Sequence, residues 1–317
     1  MNRLFTSTFF RMLKKIVFWI LLICMFIYGV YSASNAASEA SAGFAIDGCV
    51  FEFAPFMGLV AAIFISLFVG SEYSDGTIRN KLVVGHSRLR IYLANLIVCS
   101  IASILISLSY IAGIIVVHNS KGGELLTETN VIAMCLISSL FVSVAFTSIM
   151  TMLAMLNTNK AGNVVVSMIL ALVLLVSGSY IYQRLGEPEI YDNYVSVNEV
   201  GIPTQVEQSP NPLYIDGTPR IVLEVVNDLL PSGQAMQLAD AFDSEGIANK
   251  DIENAPYRWV GYSLLIIVVT SGFGIALFRK KEIKRICHMD QDCRVMADQS
   301  CMEKAMSNFI LNAVTHT

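Results

Sequence analysis

The chain has 317 residues, 55% of them hydrophobic and only 15% charged, with a formal net charge of −4 and a mean hydropathy of +0.60. That balance describes a membrane protein with several spans and excludes an ordinary soluble domain. No basic surplus points to nucleic acid, and the seven cysteines do not form a disulfide framework: Cys24, Cys99 and Cys135 lie in apolar runs, Cys49 stands alone, and Cys287, Cys293 and Cys301 lie near the C-terminus.

Residues 1–15 open the chain with Leu4, Phe5, Phe9, Phe10 and Leu13 at helical spacing and Arg3 and Arg11 among them. The pattern predicts an interfacial helix on the cytoplasmic leaflet; a frayed terminus is the alternative. Lys14 and Lys15, an apolar run and the small residues at 33–37 together imitate a signal peptide. The run is long enough to be a first span, and further runs follow it. Six spans are expected, at about 16–31, 56–70, 91–117, 131–156, 161–182 and 259–278, each near the roughly 20 residues that cross the hydrocarbon. The third and fourth are long enough to tilt.

Between the second and third runs lies a charged island, residues 71–90, SEYSDGTIRNKLVVGHSRLR. Glu72, Asp75, Arg79, Lys81, Arg88 and Arg90 would each cost about a few kcal/mol in hydrocarbon, so the chain surfaces here. A short amphipathic helix is predicted inside the island. Ser74 or Asp75 caps it, Gly76 and Thr77 open it, Ile78 and Leu82 share one face, and Arg79, Asn80 and Lys81 face away. Gly85 ends it in a left-handed conformation, and Ser87 caps the next span.

Orientation follows from Lys and Arg. With the N-terminus inside, the cytoplasmic side holds Arg3, Arg11, Lys14, Lys15, Arg79, Lys81, Arg88, Arg90, Lys160 and the cluster Arg279, Lys280, Lys281, Lys284 and Arg285. The outside holds Lys121, Arg184, Arg220, Lys250 and Arg258. Both termini are then cytoplasmic. The outer segment, 183–257, is acidic. Its first half is turn-rich with short strands, and Ile221, Val222, Val225, Val226, Leu229 and Leu230 form an apolar helical stripe in its second half. Pro231, Ser232 and Gly233 are expected to break that helix, which resumes from Gln234 to Phe242. These pieces are expected to rest on the outer leaflet or to pack over the span tops. An acidic surface suits a cationic peptide, and it is equally a generic solubility feature.

The domain plan is therefore 1–15 as an interfacial helix, 16–182 as spans one to five with the island 71–90, 183–257 as the extracellular segment, 258–284 as span six with its basic end, and 285–317 as a cytoplasmic tail. The chain has no G-x-x-x-x-G-K-[ST] phosphate loop, no H-E-x-x-H and no G-x-S-x-G. Carboxylates are essentially missing from the predicted spans, which argues that the driving force comes from elsewhere, such as a partner subunit. His86 reads as a polar connector and His118 as a span end. Gly162, Ser167, Ser177, Gly178, Ser271, Gly272 and Gly274 read as helix-packing positions. The cysteines near the C-terminus, with His288, match no strong zinc spacing.

Glu72-x-x-x-Gly76-Thr77-Ile78, followed by Ser87-Arg88 ahead of a span, resembles the signature of ABC-2 type transporter permeases: a glutamate, Gly-Thr and an aliphatic residue, then Pro-x-Ser-Arg leading into the third span. Gly85 stands at the proline position, and Asn95 stands where a lysine is common. The basic N-terminus, the six-span layout, Leu230-Pro231-Ser232-Gly233-Gln234 and Phe278-Arg279-Lys280-Lys281-Glu282 extend the resemblance over residues 1–284.

The resemblance implies an all-α multi-pass fold with six transmembrane helices, an N-terminal interfacial helix and a cytoplasmic coupling helix. It implies a permease in a bacterial plasma membrane that pairs with itself, or with a similar permease, and with two ATPase subunits. ATP and Mg would be held on those subunits, with no catalytic, cofactor or metal residue on this chain. Glu72, Asp75, Gly76, Thr77, Ile78, Arg79, Ser87 and Arg88 are the residues it assigns to ATPase coupling. Relatives export antibiotics and antimicrobial peptides, so the expected cargo is amphipathic. From residue 289 the tail resembles the N-box of a histidine-kinase ATPase domain, through Asp298, Glu303, Asn308, Asn312-Ala313 and His316-Thr317; with no glycine-rich boxes after it, it reads as a truncated or spliced frame. The rival function is a membrane sensor whose outer segment binds a ligand and signals through a kinase.

Overall fold

The computed structural model describes residues 2–39, 46–123, 125–191, 194–197, 203–206, 209–242 and 254–280. The kinase-like and cysteine-rich tail, 285–317, lies outside the described residues. Among those described, six helices are long and apolar enough to cross a membrane: α2 (Ile16–Glu39), α3 (Met57–Ser74), α5 (Arg88–Lys121), α6 (Thr129–Leu156), α7 (Lys160–Gly186) and α10 (Ala255–Lys280). The protein is an all-α multi-pass membrane protein. Each expected span is found, and the helices overrun the expected ends. Hydropathy reports only the part that prefers hydrocarbon, whereas a helix continues while its backbone bonds are satisfied. The 34 residues of α5 reach about 51 Å at 1.5 Å per residue, against a hydrocarbon core of about 30 Å.

α1 (Asn2–Leu13) precedes α2, with the break at Lys14 and Lys15. It packs on α5. Its buried stripe is Leu4, Thr8 and Met12, while Phe5 and Phe9 stack on its flank and Phe10 is exposed. The expected interfacial helix is therefore docked along one face and apolar along another.

α3 is the most enclosed span. α6 and α7 pack against it, α5 lies between α2 and α6, and α10 packs on α6. The α2–α5 crossing is close because two glycines meet there. A Cβ on Gly29 would run into the Tyr110 carbonyl oxygen, and one on Gly113 would run into the Phe26 carbonyl oxygen. Inside the bundle, hydroxyls pair across helices: Ser103 with Thr147 at 2.6 Å, Ser107 with Ser143 at 3.2 Å, and Ser148 with Thr270 at 2.8 Å. Such bonds hold helices together where water is absent.

Two short 3₁₀ turns, Asp47–Cys49 and Ala54–Phe56, lead into α3. With them the second span runs Asp47–Ser74, so it contains Asp47, Glu52 and Glu72. These carboxylates sit at the two ends of the stretch, each with a partner, and none lies between Glu52 and Glu72. Asp47 is buried and accepts from the backbone N–H groups of Leu126 (2.9 Å) and Thr127 (2.8 Å). Glu52 accepts from the Ser32 hydroxyl at 2.6 Å.

The segment between α7 and α10 has two small antiparallel ladders among its described residues. β1 (Ile190–Tyr191) pairs with β4 (Ser209–Pro210), and β2 (Tyr194–Val197) pairs with β3 (Pro203–Val206), Val195 facing Gln205. Then come α8 (Thr218–Leu229) and α9 (Pro231–Ala239). The break between them falls at Leu230. Pro231 stands in the first turn of α9, where its missing N–H costs nothing, so Pro231, Ser232 and Gly233 begin a helix rather than interrupt one. α8 leaves Ile221, Val222 and Val225 exposed. α9 is instead packed against α6 and α7, with Gln234 buried and accepting from the Ser263 hydroxyl at 2.6 Å.

Candidate functional site

The charged island folds as the end of α3, a tight turn, α4 (Thr77–Val83) and the start of α5. Gly76 makes the reversal with φ +66°, a conformation that suits glycine. The expected side-chain cap is not formed: the Ser74 hydroxyl donates instead to Ser71 O and to Asp75 Oδ1. The far end of α4 closes as expected. Gly85 has φ +93°, its N–H donates to Leu82 O at 3.0 Å, and the His86 N–H donates to Lys81 O at 3.1 Å. Those two bonds make a Schellman motif. Ser87 then caps α5, accepting from the Arg90 N–H at 3.4 Å.

Glu72 sits on the last turn of α3 and is 0% exposed. Its Oε1 accepts from Lys81 Nζ of α4 and lies 2.7 Å from Arg11 Nη2 of α1. Its Oε2 accepts from Asn95 Nδ2 of α5 at 2.7 Å. Lys81 also reaches the Thr8 hydroxyl of α1 at 3.4 Å, and the Arg11 guanidinium lies 4.4 Å from the centroid of the Phe68 ring. One carboxylate therefore joins four helices. Burial pulls the Lys81 ammonium and the Arg11 guanidinium below their ordinary pKa values, and the Glu72 carboxylate opposes that pull. Removing one partner from such a buried pair costs about 3–5 kcal/mol.

The eight residues assigned to coupling separate into two groups. Glu72 and Ile78 are buried, and Arg88 is turned toward the bundle, where its Nη1 donates to the carbonyls of Phe278 (3.0 Å) and Arg279 (3.2 Å) near the end of α10. Asp75, Arg79 and Ser87 are exposed, with Gly76 and Thr77 half-buried between them. Periodicity alone puts Lys81 on the outward face with Arg79 and Asn80. The structure turns it inward, because it lies one turn from buried Ile78 and its long stem reaches Glu72. The outward face is instead Arg79 and Asn80 with Val83 and Val84, which are 81% and 76% exposed. Sequence reasoning misses the two valines. An apolar pair in a charged segment, next to a helix-ending glycine, is the signal available.

A second feature is a cleft of about 790 Å³ between the end of α7, α8, α9 and the start of α10. Its carboxylates already have partners. Asp228 pairs with Arg258 at 3.4 Å and accepts from Gln237 at 3.1 Å, Glu224 pairs with Arg220 at 3.2 Å, Glu187 accepts from Asn211 at 2.8 Å, and Asp240 accepts from the Tyr182 hydroxyl. The cleft is acidic in composition, and each of its four carboxylates is engaged.

The small residues also divide. A Cβ on Gly178 would stand 2.6 Å from Ser232 Cβ of α9, and one on Gly274 would run into the Tyr92 hydroxyl, whereas Gly272 faces open space.

Among families of known proteins, the one described as ABC-2 family transporter protein matches residues 9–178, from α1 through most of α7 and including the whole charged island. No curated protein matches the chain.

Proposed function

The chain belongs to the ABC-2 transporter family, whose members are membrane permeases that work with an ABC ATPase, and from that membership we propose that it is the permease of an ATP-driven exporter, with α4 as the helix on which a separate ATPase pushes. The observation that carries this reading is the split character of α4. Arg79, Asn80, Val83 and Val84 face outward, while Ile78 and Lys81 hold the same short helix to the bundle. ATP and Mg belong to the partner subunit, and this chain supplies the transmission.

The linkage gives a mechanical route. A displacement of α4 acts on α3 through Glu72 and the short Gly76 turn. It acts on α1 through Thr8 and Arg11, and on α5 through Asn95. Arg88 passes the motion from the start of α5 to the end of α10. Four span or interfacial helices then move at their cytoplasmic ends as one body, the kind of rigid-body shift by which packed helices switch between two arrangements. The interior of one copy is filled by paired hydroxyls and aromatic side chains, which favours a path between two permease copies. The cargo is an amphipathic, antibiotic-like or peptide-like molecule carried outward, and both termini are cytoplasmic.

The test is co-purification with the ATPase in the presence of nucleotide. V83D and V84D should lower recovery of the ATPase about tenfold, the loss expected when central apolar contacts are removed from an interface, while membrane insertion is unchanged. Undiminished recovery in both variants refutes docking through α4. Recovery of a kinase in place of an ATPase would favour the sensor.

A further inference from the structure

The starts of α2 and α7 and the last turns of α3 enclose a small cavity of about 130 Å³. Two lysines line it, Lys15 just ahead of α2 and Lys160 as the first residue of α7, together with Val17, Phe64, Leu67 and Phe68. Ser71 also lines it, but its hydroxyl donates to Phe68 O at 2.8 Å. No carboxylate lines the cavity, and among the described residues neither lysine forms an ion pair. The oxygens of neighbouring Glu72 are engaged by Arg11, Lys81 and Asn95. The two lysines therefore bring unpaired positive charge to the rim of the cavity, beside the N-terminal ends of two long helices, whose dipoles add to it.

Its depth and walls narrow the choice of anion. Lys15 stands one residue ahead of a span and Lys160 begins one, and the ends of a span are where headgroups flank the hydrocarbon. A hydrated inorganic anion would lose solvation against Phe64, Leu67 and Phe68. A lipid phosphate brings acyl chains that cover apolar surface, and α2 and α7 present exposed Ile16, Ile20, Val165 and Val166 within two turns of the lysines. We propose that this cavity holds the phosphate headgroup of an anionic phospholipid, with Lys15 and Lys160 as its counter-ions. The site then steadies the two breaks that flank the cavity, where α1 turns into α2 and α6 into α7. The proposal rests on the membrane-spanning reading, and on neither ATPase docking nor the direction of transport.

Native mass spectrometry of the full-length, delipidated chain in detergent tests it, with phosphatidylglycerol and phosphatidylcholine of identical chains added in turn. The wild type should retain phosphatidylglycerol about tenfold better, and the K15Q/K160Q double variant should lose that preference. K14Q, which changes an exposed lysine off the cavity, should keep it, and so should K15R/K160R, which guards against a mere folding defect. Equal retention of the two lipids by the wild type overturns the proposal. So does an undiminished preference in the double variant, or displacement of the lipid by inorganic phosphate at constant ionic strength, which would mark a free-anion site. No ATPase or nucleotide is present, so this outcome and that of the docking test are independent.

Discussion

Glu72 is where one side chain matters most. A carboxylate with no exposure is stable only while its cations and its amide stay in place. E72Q keeps the shape and removes the charge, leaving Arg11 and Lys81 beside a neutral amide. The expected loss is about 3–5 kcal/mol, read as a lowered midpoint of thermal unfolding in detergent. K81M should cost less, because Arg11 still faces the carboxylate; an E72Q midpoint equal to wild type would refute the node. Arg88 is a separate case. R88A removes two charge-assisted bonds to backbone carbonyls of α10, at about 1.5–3 kcal/mol for a bond of that kind. It should reduce transport per ATP hydrolysed more than it reduces ATPase recovery. The sequence exposed Glu72 as a carboxylate stranded at the end of an apolar run. It hid the partners, since Arg11, Lys81 and Asn95 come from three other helices and no local spacing relates them. Asn95, which the sequence marks only as standing in for a lysine, proves to be a ligand of the carboxylate.

Elements were legible where a single local force decides them. The end of α4 followed from Gly85, because a left-handed residue closes a helix by itself. The N-terminal cap failed because Gly76 already turns the chain and the Ser74 hydroxyl has nearer acceptors. α9 was misplaced for a related reason: proline reads as a breaker, yet in a first turn it is a starter. The small residues show the same limit, since composition marks a candidate contact and only packing decides it. G113A drives a methyl into a backbone oxygen that cannot move cheaply, so overpacking should cost about 1–3 kcal/mol. G272A meets nothing within 4 Å and should leave the unfolding midpoint unchanged. Equal behaviour of the two variants would contradict the close α2–α5 crossing.

At the scale of the whole molecule, the apolar runs gave the count and order of the spans, because crossing hydrocarbon is a demand on composition. They did not give the helix ends or the neighbours. α3 is enclosed while α7 and α10 show most of their surface, and all three are comparably apolar. That contrast arises from assembly: a span at the centre and a span at the rim both face groups without water. The proposed division of labour is also a property of the whole. A sequence without a phosphate loop carries an exposed face on α4 and an internal linkage from it to α1, α3, α5 and α10, and the proposal that a separate ATPase drives it rests on that arrangement.

The most direct measurement is site-specific cross-linking from V84C, in a background lacking the native cysteines, to the ATPase in assembled membranes. The account predicts labelling of the introduced thiol from the cytoplasmic side only, and a cross-linked product with an ATPase subunit whose yield changes with bound nucleotide. Labelling from the outer side, or a bound ATPase that never cross-links at this position, would contradict it.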